Sequence, residues 1–482
     1  MVNEALSVTA RRSNRALRGL LAAAPLACAT PAAAADLDGR AFSLPWALPF
    51  VGLLLAIALG PLLAPRAWEH HLGKVAAAFG LLVTVPLALA VGPAAAGSAL
   101  LAVALHEYLP FVLMLLALFT VTGGLRVEGN LHGSPGTNLA ILGAGTALAS
   151  VIGTTGAAML LIRPLIRAND ERRHNAHVVV FFIVLVANLG GALSPLGDPP
   201  LFLGYLRGVE FLWPLRNLWA QTLLAVALVL AVFAVLDWAL YRRDARFRAL
   251  ADPTPDAPLR LSGLPNLALI ALVVAATFLS GAWRSGVATT LLGVELRLES
   301  ALRDLAYLGA TLASLALTPA AARRANGFTW GPILEVGKLF AALFVCLLPV
   351  AAMLRAGADG AFAPVVGLVA RADGTASPSA YFWLTGGLSA VLDNAPTYLV
   401  FFELAGGDAA RLMGEGARVL AAISCGAVFM GAMTYVGNAP NFMVAAVARA
   451  AGVRMPGFFG YLAWSCALLL PVFLMVAWLF FR

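Results

Sequence analysis

Asp198 and Asp393 are two carboxylates in otherwise apolar surroundings. Asp198 lies in Ser194-Pro195-Leu196-Gly197-Asp198-Pro199-Pro200, and Asp393 in Leu392-Asp393-Asn394-Ala395-Pro396-Thr397. Gly and Pro beside them interrupt regular helix, and short oxygen-bearing side chains surround them. Charge near a bilayer centre is costly, so an acid kept in an apolar span is a functional candidate by default. Carboxylates, hydroxyls and unwound carbonyls supply the several oxygens a hard cation needs. The same carboxylates take protons when no cation is bound. Asp also caps half-helices well, and that local role is compatible with the chemical one.

The stretch around Asp198 has a counterpart. At a constant offset of 240, Ala192, Ser194, Gly197, Asp198, Pro200 and Phe202 meet Ala432, Thr434, Gly437, Asn438, Pro440 and Phe442. Non-helical backbone inside a membrane survives only where protein buries it or where it lines a cavity. Two related breaks, one in each half of a chain, point to the binding site of a secondary transporter. The candidate substrate- or ion-binding residues are therefore Asp198, Asp393, Asn394, Thr397, Thr154, Thr155, Ser194, Thr434, Asn438, Asn188 and Asn441. The backbone breaks are assigned to Gly153, Gly156, Gly197, Pro199, Pro200, Pro396, Gly437 and Pro440. Na⁺ and H⁺ are expected as transported or coupling ions, with Na⁺ at Asp198 and Asp393 and no other cofactor.

Other ionisable residues divide into two groups. Glu107 and Glu335 each begin an apolar helix, and Lys338 follows Glu335 on the same face, within pairing reach. They are read either as helix-start acids or as proton-relay or coupling groups. Asp237, beside Arg242 and Arg243, and Glu403, at a hairpin foot, read as interfacial. His106-Glu107 begins like a zinc-protease motif but lacks the second histidine four residues on. With no Ser/His/Asp or Cys/His constellation at membrane depth, the chain is not expected to be an enzyme. An intramembrane enzyme or sensor is the remote alternative. Cys28, Cys346, Cys425 and Cys466 have no metal-ligand spacing and read as small buried hydrophobes.

These residues need a membrane scaffold to position them. Hydrophobic residues make up 61% of the chain and charged ones 12%, and the mean hydropathy is +0.88. A soluble fold of 482 residues would have almost no polar surface to offer. The net charge of +8 then reflects loop topology and contact with membrane lipid rather than nucleic acid. The predicted fold is all-α, with ten spans near 44–63, 75–93, 99–124, 177–206, 217–240, 263–281, 303–319, 330–352, 416–450 and 457–481. Residues 137–167 and 380–405 read as re-entrant hairpins. The first turns at Gly153-Thr154-Thr155-Gly156, with legs of roughly 15 residues and about 22 Å, too short to span comfortably.

The expected organisation is a signal peptide over 1–35, a first inverted repeat over 36–240, a cytoplasmic linker over 241–262 and a second repeat over 263–482. Each repeat holds one hairpin and one broken span, at 177–206 and 416–450. Arg11, Arg12, Arg15 and Arg18 precede an apolar run, and Ala33-Ala34-Ala35 offers a cleavage site. Cleavage leaves the mature N-terminus periplasmic, in a bacterial-type inner membrane. With that orientation the basic blocks Arg242, Arg243, Arg246, Arg248, Arg260 and Arg163, Arg167, Arg172, Arg173 fall inside.

Gly190-Gly191-Ala192-Leu193-Ser194-Pro195-Leu196-Gly197-Asp198 and Leu392-Asp393-Asn394-Ala395-Pro396-Thr397 resemble motifs of the ion transporter superfamily. That group includes arsenite exporters, NhaD-type sodium/proton antiporters, citrate carriers and divalent anion/sodium symporters. The first motif looks most like the NhaD-type branch. The resemblance implies a sodium/proton antiporter, or else a citrate or dicarboxylate symporter, perhaps of metal-citrate. It also implies elevator-like motion within a homodimer. Dicarboxylate symporters of the group carry Ser-Asn-Thr at both hairpin tips, whereas these tips read Gly-Thr-Thr-Gly and Asp-Asn-Ala-Pro-Thr.

Overall fold

Proline and glycine punctuate this chain, and many of its helices carry proline at their first or second position. A computed structural model describes residues 37–244, 257–371 and 373–482. The signal peptide expected over 1–35 lies outside the described residues, as does the 245–256 part of the linker.

The first half opens with α1 (Leu48–Leu63) and α2 (Pro65–Val91). A long span follows, made of α3 (Pro93–Val103), a π-type turn (Ala104–Tyr108) and α4 (Leu109–Thr122). The first hairpin is α5 (Pro135–Ile152) and α6 (Thr154–Ala168). The broken span is α7 (Ala176–Leu185), a 3₁₀ turn (Leu189–Leu193) and α8 (Pro199–Leu206), before α9 (Trp213–Asp244).

The second half runs α10 (Pro265–Ala282), α11 (Leu298–Leu317), the short α12 (Ala320–Ala325) and α13 (Gly331–Arg355). After α14 (Ala363–Val369) comes the second hairpin, α15 (Pro378–Val391) and α16 (Asn394–Leu404). The short α17 (Ala409–Met413) leads into α18 (Ala417–Met430), a 3₁₀ turn (Gly431–Met433) and α19 (Ala439–Ala450), then α20 (Phe458–Phe480). An antiparallel strand pair, β1 (Arg126–Asn130) with β2 (Ala257–Ser262), ties the loop after α4 to the chain entering α10. A small hairpin, β3 (Ala288–Leu291) with β4 (Val294–Arg297), precedes α11.

Proline at the first or second helical position starts α8 and α19, where a missing N–H costs nothing. Ser134-Pro135 and Ser377-Pro378 open the first legs of the two hairpins, each serine accepting a backbone N–H of the first turn. This is an all-α membrane fold. Among the described residues, nine helices are long and apolar enough to cross a bilayer.

These nine differ in detail from the ten expected spans. The span at 303–319 is not among them, because α11 begins with Glu299, Arg303 and Asp304. The span at 416–450 is absent because its break leaves pieces of 14 and 12 residues. The first hairpin leg, α5, joins the set: at 18 residues it is longer than expected.

Burial separates core from rim. Of the window Ala176–Leu193, 89% is buried, against 17% for Arg66–Val91. Large apolar side chains such as Leu89 and Val235 stay exposed on the outer helices, as a lipid-facing surface requires. The broken span therefore sits innermost, and the outer helices face lipid.

Candidate functional site

Each break is pinned to the hairpin of its own half by a hydroxyl at the matching position. Ser194 Oγ donates to the Ser150 carbonyl in α5 and accepts the Leu196 N–H at 3.2 Å. Thr434 Oγ1 donates to the Ala390 carbonyl in α15 at 2.7 Å and accepts the Val436 and Gly437 N–H groups at 3.2 and 3.1 Å. Both reach back 44 residues, so the offset found in the sequence is reproduced in the bonding. Glycine is needed where each break folds on itself. A Cβ on Gly197 would overlap the Gly191 carbonyl, and one on Gly437 would lie 2.7 Å from the Gly431 and Ser389 carbonyls. Ser194 and Thr434 thus hold backbone.

Asp198 is the centre of the site. It is 1% exposed. Its Oδ1 accepts Thr154 Oγ1 at 3.0 Å and Asn438 Nδ2 at 3.2 Å, and its Oδ2 accepts Asn394 Nδ2 at 2.5 Å. One donor comes from each hairpin tip and one from the opposite break. All three are neutral. The Thr154 N–H also bonds the Gly197 carbonyl at 2.8 Å, closing the first tip onto the first break.

A layer of amides lies behind. Asn188 donates to Asn441 Oδ1 at 2.7 Å and accepts Asn438 Nδ2 at 3.2 Å. Asn441 Nδ2 satisfies the Gly431 and Thr434 carbonyls at 2.8 and 2.9 Å. This network is buried and couples the halves. Asn394 Oδ1, by contrast, is buried without a hydrogen-bond partner, an orphan acceptor beside a carboxylate.

Asp393 stands at the N-cap of α16, half-buried and within electrostatic reach of Asp198. Its carbonyl accepts Thr397 Oγ1 at 2.9 Å, so that hydroxyl serves the helix. Thr155 is partly exposed beside Thr154. Gly153, with φ of +81°, makes the first tip's turn. Gly156 does not: it lies inside α6, where its missing side chain admits Thr122. Pro396 falls in the first turn of α16, and Pro199, Pro200 and Pro440 open α8 and α19.

These positions bring four helix starts together. α6 begins at Thr154, α8 just after Asp198, α16 at Asn394 and α19 just after Asn438. Each start directs the positive end of its helix dipole at the centre, although α8 opens on two prolines without N–H groups and the Thr154 N–H of α6 is taken by the Gly197 carbonyl. The centre is therefore positive by backbone and negative by side chain. A cavity of about 110 Å³ reaches it from one side, bounded by Gly153, Thr154, Thr155, Gly197, Pro199 and Pro440.

The profile of a family described as "Putative citrate transport" matches residues 39–481. The chain belongs to this citrate-transport family. No curated protein matches it. Family membership and the run of apolar helices make this a multi-pass membrane protein of a transporter family.

Two buried charge clusters flank the site, and each gives an acid that read as interfacial partners distant in sequence. Asp237 is fully buried, paired with Arg172 at 2.6 Å and His177 at 2.8 Å, and accepts Asn138 Nδ2 at 3.1 Å. Its neighbours in sequence are Arg242 and Arg243, whereas its partners come from the foot of the first hairpin and from α7. Glu403 is also fully buried, paired with Arg207 at 2.6 Å and Arg355 at 3.5 Å. Arg207 also binds Glu107 at 3.0 Å, so the acid in the π-type turn joins this cluster. Glu335 and Lys338 are exposed on α13 and make no ion pair with each other, contrary to the pairing expected along one helix face. The distance partners leave no local signal; only the apolar surroundings of Asp237 and Glu403 hinted at them.

Proposed function

We propose that this protein is a secondary carrier of citrate-class carboxylates, coupled to a cation or proton held at Asp198 and Asp393. The observation that carries this reading is the convergence of four helix starts on one buried centre. Helix N-termini favour anionic groups without needing a fixed side-chain cation. The acidic pair then supplies the coupling. Na⁺ or H⁺ on Asp198, with the orphan Asn394 Oδ1 as a further oxygen, offsets the charge that would repel an anion.

A second reading is sodium/proton antiport with Na⁺ and H⁺ competing for the same carboxylates. What favours it is that every side chain donating to Asp198 is neutral. In either case we place the foot of the first hairpin on the cytoplasmic side of a bacterial-type inner membrane, with the two halves as inverted repeats. The carrier works as a homodimer in which hairpins and broken spans move against the remaining helices.

Reconstituted vesicles separate the readings. Labelled citrate uptake under imposed Na⁺ or H⁺ gradients is the expected result. A Na⁺-driven change in internal pH with no citrate uptake would instead establish the antiporter.

A further inference from the structure

Arg163 and Glu403 are 240 residues apart and occupy the same place in the second legs of the two hairpins. Glu403 is held by Arg207 and Arg355. Arg163 is half-buried and has neither a hydrogen bond nor an ion pair; its charged neighbour is Arg167. The residue 240 after Arg207 is Val447, and Val447 lines the cavity of about 120 Å³ that Arg163 faces. Thus the half with a basic residue on the leg has valine where the other half has a countercharge. Gly327, with φ of +62°, completes this cavity, and the Arg163 guanidinium lies where a Cβ would stand.

This cavity adjoins the one at the first tip. Phe119, Pro332 and Met443 belong to the walls of both. Arg163 lies nine positions after Thr154 on one helix, about 14 Å at the α-helical rise. An unpaired guanidinium in a half-buried pocket attracts anions, and its planar fork fits a carboxylate by two parallel bonds. We infer that Arg163 is a capture site for one carboxylate of the incoming or departing substrate, in the half of the transport path that stands open. The path continues past Phe119 and Met443 to Thr154 and Thr155. At the equivalent place on the other side, Arg207 is paired with Glu403. This inference rests on the carboxylate reading of the function.

Full-length protein in phosphatidylcholine vesicles, which hold no anionic lipid to compete for Arg163, provides the test. Initial rates of labelled citrate uptake are measured against concentration at low and high salt. Arg163→Gln should raise KM about ten-fold with kcat within about two-fold, as expected for a lost charged hydrogen bond outside the central site. Arg163→Lys should recover part of the loss, and the gap should narrow at high salt. Val447→Glu leaves Arg163 in place but supplies the missing countercharge, and should raise KM in the same direction. An unchanged KM in Arg163→Gln and Val447→Glu, with wild-type uptake intact, overturns the capture site and leaves the carboxylate reading standing. Absence of citrate uptake by the wild type overturns both, so the two failures are distinguishable.

Discussion

The two hairpins have the same build and opposite feet. At the second, Glu403, Arg207, Arg355 and Glu107 form a continuous chain of ion pairs that joins hairpin, broken span, α13 and the π-type turn. At the first, the equivalent leg residue is Arg163, which faces a cavity instead of an acid. The first foot is still anchored, but elsewhere, through Arg172, His177 and Asp237 on α9. The fold repeats while the charges do not. One foot pairs its charged side chains with one another, and the other leaves Arg163 facing a cavity.

The centre shows the same inequality, and the largest effect should appear there. Asp198→Asn removes the charge that three donors surround, and transport in vesicles should fall about 100-fold, whereas Asn438→Ala, which deletes one donor, should cost about ten-fold. Equal losses would mean that the two positions contribute alike, against the asymmetry seen here.

The feet come next. Arg207→Ala removes the shorter of the ion pairs of a fully buried Glu403 and leaves Arg355 at 3.5 Å, so stability should fall by about 3 kcal/mol, the low end for breaking one side of a buried pair. Arg163→Ala should change it by less than about 1 kcal/mol, since no pair is lost. Thermal unfolding of detergent-purified variants measures both, and similar melting shifts would erase the contrast between the two feet.

Smaller effects should be shared by the halves, because there the repeat is exact in role. Gly197→Ala and Gly437→Ala push a methyl group against backbone carbonyls, of the same break and, for Gly437, also of hairpin leg α15, and should each cost about 1–3 kcal/mol. Ser194→Ala and Thr434→Val each release the carbonyl of a hairpin leg and the N–H groups of a break, for about 1–2 kcal/mol. Unequal melting shifts within either pair would show that the halves differ in their frame as well as in their charges.

The sequence exposed the frame well because the frame depends on local chemistry. Gly, Pro and the offset of 240 marked where helix stops, and the residues at those stops do meet. Asp198, Thr154, Asn394 and Asn438 form one bonded group as their positions in tips and breaks implied. Roles were less legible than places. Ser194, Thr434 and Thr397 carry the same oxygens as a ligand set, yet their hydroxyls hold carbonyls of the backbone. Asp237 and Glu403 looked interfacial because the chain shows each acid beside its sequence neighbours only. Arg172, 65 positions before Asp237, and Arg207, 196 before Glu403, become partners through packing alone. α5 is longer than expected because Ser134-Pro135 starts it two residues before position 137.

The bond between Asn438 and Asp198 joins residues 240 apart, so each half meets its own image at that point. Any two-fold-symmetric ancestor of such a chain would face a constraint there. Two identical acids 3.2 Å apart cannot both carry charge and would have to share one proton. Two identical amides would lose the charge altogether. Replacing one acid by its isosteric amide puts an N–H where the shared proton would sit, and leaves a single ionisable carboxyl group at the seam. A fused chain can make that substitution on one side only, which two separate identical subunits cannot do.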